Sequence, residues 1–170
     1  ITSLNIGNEY IRVFVGDVLF LPMKGKDMYS VIEIAKYVIT YCMIQGAPIS
    51  NLQLQKILYY LQVYYMRQGE PLFPEEIYAW QHGPVVPEVY FMFSGYGAAK
   101  IQNIYVTTIE EIDLNLIQPV IEKLRKIDPW TLVDMTHRKG QPWDRVYNDR
   151  IDPTGLIEKR VLAMDDTDLG

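Results

Sequence analysis

The sequence is poor in the residues that metal sites and nucleophilic enzymes are built from. It holds one cysteine, Cys42, and two histidines, His82 and His137, in 170 residues. A lone cysteine excludes an internal disulfide, and neither a Cys pair nor a helically spaced His pair is present to begin a zinc site. Cys42 lies in an apolar helical run, where a thiol is a small core residue rather than a nucleophile. A chain without disulfides suits a reducing cytoplasm. Long apolar runs are missing too. Val13 to Leu21 is short and broken by Asp17, well below the ~20 residues of a membrane span. Positive charge is not in surplus: 16 Lys and Arg face 21 Asp and Glu, a net charge of −5. That balance argues against nucleic acid as a partner, because its binders present a basic face. Gly95-Tyr96-Gly97 lacks the helix and lysine of a phosphate loop. The adjacent carboxylates Glu75-Glu76 and Glu110-Glu111 point to different faces and read as surface or helix-start charges. The expectation is a protein that is not an enzyme and needs no metal or cofactor.

Aromatics are abundant, with thirteen tyrosines and three tryptophans. Two readings stay open for them: a surface shared with a partner, or a tyrosine-rich margin of the core. A chain of this length buries roughly 70% of its unfolded surface and folds without staples. It reads as one main domain, residues 28–170, behind an N-terminal extension, residues 1–27. Within the extension, Tyr10–Val15 and Val18–Leu21 form a hairpin pattern around Gly16-Asp17. Met23 and Met28 stand as alternative starts, which would make the extension non-native.

The main domain reads as mainly α, a compact set of five or six helices with short extended segments. Ser30 with Glu33, and Ser50 with Gln53, are capping boxes opening two helices. The first ends at Gly46-Ala47-Pro48. The second runs to Arg67 with an apolar stripe of Leu54, Ile57, Leu58, Leu61, Tyr64 and Tyr65. The short link predicts that the two pack as a pair. Glu76–Trp80 reads as extended, Pro87–Phe93 as a helix, and Ile104–Val106 as a brief strand. A fourth helix reaches Ile127, kinked by Pro119 unless it begins there. Asp128-Pro129 caps a short helix holding Trp130, Leu132, Val133 and Met135, and Pro142-Trp143 opens another. A turn over Leu156–Leu162 follows, and Asp165–Asp168 is expected to fray.

The centre of the sequence is Ala79-Trp80-Gln81-His82-Gly83-Pro84-Val85-Val86-Pro87. Two prolines fix φ and remove donors while the glycine admits conformations other residues avoid, so the segment specifies a backbone path. His82 lies in this constrained turn, where a rigid scaffold places functional side chains. Met135-Thr136-His137-Arg138 with Pro142-Trp143 is a second polar constellation. It reads either as a contact point or as a helix C-terminus that favours histidine. Gln53, Gln55 and Lys56 at the start of the second helix imitate a helix-turn-helix reader. A single lysine in an acidic domain attracts phosphates weakly.

Taken together, Asn51-Leu52-x-Leu54-Gln55-Lys56-Ile57-Leu58-Tyr59-Tyr60-x-Gln62-x-Tyr64-Tyr65, Gly69-x-Pro71-Leu72-Phe73 and Ala79-Trp80-x-His82-Gly83-Pro84-Val85-Val86-Pro87-x-Val89-Tyr90 form a pattern. With Tyr96-Gly97, Leu132, Thr136-His137 and Pro142-Trp143 downstream, it resembles the Panacea-domain family of SocA-like antitoxins and phage-associated GepA-type proteins. The resemblance spans about residues 28–150. It implies a mainly helical domain that binds and neutralises a protein toxin encoded by a neighbouring gene. In one branch it implies a proteolytic adaptor that delivers the toxin to a housekeeping protease. Within the pattern, Tyr59, Tyr60, Gln62, His82 and Tyr90 are the candidate partner contacts. A prophage-associated regulator that binds DNA through the Ser50–Arg67 helix is the alternative.

Overall fold

Ser30 accepts a hydrogen bond from the backbone N–H of Glu33 and starts α1, Val31–Ile44. A full reciprocal capping box at Ser50 and Gln53 starts α2, Asn51–Met66. These helices open a computed structural model that describes residues 28–148 and 154–170. The expected hairpin and alternative starts of residues 1–27 lie outside the described residues. After α2 come β1 (Ile77–Trp80), β2 (Gly83–Val85), α3 (Pro87–Met92), a 3-10 turn (Ser94–Tyr96), α4 (Glu111–Leu124), α5 (Pro129–Thr136) and α6 (Pro142–Tyr147). Strand β3 (Leu156–Ile157) and α7 (Lys159–Leu162) close the order. The fold is mainly α, as its capping and periodicity predict.

Helix α2 is the axis of the molecule. It touches α1, α4, α5, α7, α3 and β2. Its buried residues include Asn51, Gln53, Gln55, Lys56 and Gln62 as well as the apolar set. The stripe read from the sequence is therefore only part of its buried surface, because neighbours cover most of the helix and leave only Leu52, Tyr64 and Met66 partly exposed. Around it the core gathers Val31, Ile34, Val38 and Cys42 of α1, Ile117, Val120 and Ile121 of α4, and Leu132 of α5.

A small sheet, order β2-β1-β3, leans on this axis. The pairing of β1 with β2 is antiparallel, with Tyr78 opposite Val85, Ala79 opposite Pro84 and Trp80 opposite Gly83. Gln81 and His82 form the two-residue turn. Pro84 is tolerated because β2 is an edge strand, where a missing donor breaks no inner ladder. On the other side β1 pairs with β3, Ile77 opposite Ile157, and Ala79 N–H donates to Gly155 O at 2.7 Å.

Three expectations need correction. Ile104–Val106 is not a strand: Tyr105 N–H donates to Thr40 Oγ1 at 2.8 Å, so a side chain of α1 stands where a strand partner would. Helix α4 ends at Leu124 rather than Ile127, and Pro119 lies inside it. The tail does not fray. Asp165, Thr167 and Leu169 are buried, and the segment is fastened across α2 and α5.

Candidate functional site

The polar residues of α2 act as clamps on the extended backbone beside it. Gln55 Oε1 accepts the N–H of Val86 at 2.9 Å, and Gln55 Nε2 donates to Asn51 Oδ1 at 3.0 Å. Asn51 in turn donates to the carbonyl of Tyr90 at 3.0 Å, so the entry and body of α3 hang from two side chains of α2. Gln62 holds the Leu72-Phe73 break: its Oε1 accepts both N–H groups at 2.8 and 3.3 Å, and its Nε2 donates to Phe73 O at 2.8 Å. Buried backbone groups need partners, and these side chains supply them.

Lys56 is the most unusual of the set. It is fully buried, and its Nζ donates to Pro84 O at 3.0 Å. No carboxylate among the described residues forms an ion pair with it, and burial lowers its pKa to about 7. The lysine end fills the space beside Gly83. A Cβ at position 83 would lie 2.6 Å from Lys56 Cε, 2.8 Å from Nζ and 2.9 Å from Thr136 Oγ1. Gly83 also has φ +103, so this position demands glycine on two grounds.

The remaining pieces of the pattern close around this point. Thr136 is buried at the end of α5 and donates to Val133 O at 2.8 Å. The ring of His137 stacks on Trp143 at 3.6 Å, and its Nε2 is buried with no hydrogen-bond partner among the described residues. Burial first, then the Lys56 charge, holds the His137 pKa below its ordinary value. Trp143 Nε1–H donates to Trp80 O at 2.8 Å, tying α6 to β1, and its ring stacks on Tyr147. Residues far apart in sequence, Lys56, Trp80, Gly83, Pro84, Thr136, His137 and Trp143, thus share one neighbourhood. Leu54 and Val86 are fully buried beside it, Val85 and Pro142 nearly so, and Pro87 takes the first position of α3.

The five candidate contacts divide. Tyr59, Tyr60 and Gln62 have no exposed surface. Tyr59 donates to Asp165 Oδ2 at 2.6 Å beneath the tail, and the Tyr60 ring packs edge-on against it at 4.9 Å. His82 and Tyr90 do reach the surface. Three exposed neighbours were not singled out from the sequence: Phe91, Met92 and Trp130. Helix α3 is too short for its periodicity to reveal an outward face, and Trp130 reads as core in a run of apolar residues. The recognition-helix reading needs Gln53, Gln55 and Lys56 to point outwards. All three are buried with their side chains bonded within the fold, so none of them is free to read a groove.

Among the described residues no group of three His, Cys, Asp or Glu could hold a metal ion, and no helix is long and apolar enough to cross a membrane. The family model described as "Antitoxin SocA-like, Panacea domain" matches residues 54–144. The chain belongs to the Panacea-domain family. Antitoxin SocA of Caulobacter vibrioides (strain NA1000 / CB15N) is 34% identical over 115 residues. That match covers 59% of this chain and 61% of the Caulobacter protein, so the chain spans about three-fifths of the length of this curated relative. No solved structure matches the chain. The Panacea segment runs from within α2 to within α6, so it takes in Lys56, the β1–β2 hairpin and the Thr136-His137 pair.

Proposed function

We propose that this Panacea-domain protein is an antitoxin that neutralises a protein toxin, encoded beside it, by binding it directly in the cytoplasm. The observation that carries this reading is the family match over residues 54–144, with a relative described as an antitoxin. The acting unit is residues 28–170, because α1 and the C-terminal tail pack on the same axis as the matched segment. Its role is that of a binding module rather than a catalyst. The clustered pattern residues support this, since Gln55, Lys56 and Gln62 spend their polar groups on backbone clamps inside the fold. His82 and Tyr90 are the candidate contacts a partner can reach, while Tyr59, Tyr60 and Gln62 act on binding by holding the scaffold.

Co-expression with the neighbouring small reading frame tests the proposal. Growth arrest by the neighbour alone, relieved by this chain with recovery of a stable complex, is the expected result. A harmless neighbour that never co-purifies overturns it. The adaptor mode adds a second step, delivery to a housekeeping protease. In that mode the toxin's half-life shortens when this chain is present and rescue is lost in a protease-deficient host. Rescue that persists there, with an unchanged half-life, leaves neutralisation by occupancy alone.

A further inference from the structure

Large apolar side chains stay uncovered around the β1–β2 hairpin. The Trp80 ring meets Tyr90 edge-on at 5.0 Å and Phe91 at 6.0 Å. Across the hairpin turn, His82 meets Trp130 edge-on at 5.4 Å. Phe91 is 64% exposed, Trp130 56% and Met92 52%. Trp, Tyr, Phe and Met are the side chains that fill the centres of protein interfaces and carry most of their affinity. Rings that already brace one another lose little further freedom on binding.

The charge of the same elements is one-sided. The hairpin, α3, and α5 with its cap hold three carboxylates, Glu88, Asp128 and Asp134, and no lysine or arginine. All three carboxylate residues are exposed. Glu88 stands one helical turn before Phe91 and Met92, and Asp134 one turn after Trp130, so acid flanks the aromatic surface on both helices. We propose that this belt, from α3 over the hairpin turn to α5, is the docking surface for the neutralised protein. Its occupant is a basic surface that inserts apolar anchors between Phe91 and Trp130. The inference rests on the direct-binding reading and adds the place and the chemistry of contact. Carboxylates at the rim steer a basic partner in, and the aromatic centre sets the dissociation rate.

The test uses the full chain with the purified product of the neighbouring reading frame. Affinity is measured at low and high salt for the wild type, for Phe91→Ser with Trp130→Ser, and for Glu88→Lys with Asp134→Lys. The aromatic pair is expected to weaken binding by about 30-fold or more. The charge-reversed pair should slow association and flatten its salt dependence. Val106→Ser, at an exposed site outside these elements, should bind like the wild type. Circular dichroism melting accompanies each variant, and the charge pair keeps the test decisive if the aromatic pair unfolds. Wild-type affinity in both folded double variants overturns the docking surface while leaving the antitoxin reading intact. A wild-type chain that binds nothing overturns both. A dimer of the chain alone that the aromatic pair converts to monomer would make the belt a self-interface and also overturn the proposal.

Discussion

Lys56 is a lysine in the core of an acidic protein, held by one carbonyl and faced by a glycine. Its position explains why the turn at Gly83 is so tightly specified. Replacing Gly83 with Ala would place a methyl group within 3 Å of Lys56 and Thr136 in a left-handed backbone conformation. The expected loss is about 2–4 kcal/mol, the sum of a strained φ and an overpacked core, and urea denaturation measures it. The lysine also makes stability depend on pH. Its pKa falls from 10.5 to about 7 on folding, so between these values the unfolded chain binds more protons at this site. Stability from this group therefore rises with pH from about 7 to about 10.5, by up to about 1.4 kcal/mol per unit. Lys56→Met removes this pH dependence. The stability difference between wild type and Lys56→Met should accordingly shift in favour of wild type as pH is raised from 7 to 9.5. A difference that stays flat would mean that Lys56 remains protonated inside the fold.

At the scale of elements, legibility followed the strength of the local signal. Ser50 with Gln53 announced α2, and Asp128 before Pro129 announced α5, whose cap accepts from the N–H groups of Trp130 and Thr131. Both signals are local hydrogen-bond chemistry, which sequence displays directly. The pairing of β1 with β3 was not legible, because Leu156–Ile157 is two residues long and forms only against a preformed partner. Nor was the role of Gln62. A glutamine in a helix reads as surface, yet here it clamps two N–H groups and a carbonyl 10 to 11 residues away. Of the site, the sequence pattern drew together residues that share one neighbourhood in the fold, but it could not distinguish buried scaffold from surface. Tyr59 and His82 belong to one pattern, yet Tyr59 is fully buried and His82 is exposed. Gln62→Leu should cost about 2–3 kcal/mol, since it strands buried backbone groups rather than trading one solvated bond for another. Gln68→Ala, in the exposed turn just after the same helix, should change stability by less than about 0.5 kcal/mol when both variants are compared by thermal melting.

For the whole molecule the tail is a structural strap. Composition alone, four polar residues from Asp165 to Asp168, argued for fraying, but tertiary partners decide otherwise. Arg67, at the C-terminal cap of α2, donates to the carbonyls of Asp165 and Thr167. Arg138 after α5 pairs with Asp166 at 2.6 Å, and Gln141 Oε1 accepts the N–H of Asp166 at 3.1 Å. Tyr59, deep on the central axis, donates to Asp165, and Leu169 is part of the core. Individual aspartates of the tail are thus expected to behave very differently. Asp168 meets Lys123 at 3.0 Å but is well exposed, so Asp168→Ala should leave the urea midpoint close to that of wild type. Asp165→Ala leaves the buried Tyr59 hydroxyl without its acceptor and should cost about 2–3 kcal/mol. Deleting residues 165–170 also uncovers the site of Leu169, for a total of roughly 3–5 kcal/mol. Urea midpoints of the three variants give the comparison directly. Equal, small effects for all three would mean a frayed end. The expected ordering, deletion beyond Asp165→Ala and Asp168→Ala near zero, means that the C-terminal segment holds α2 against α5, and with it the floor beneath the hairpin.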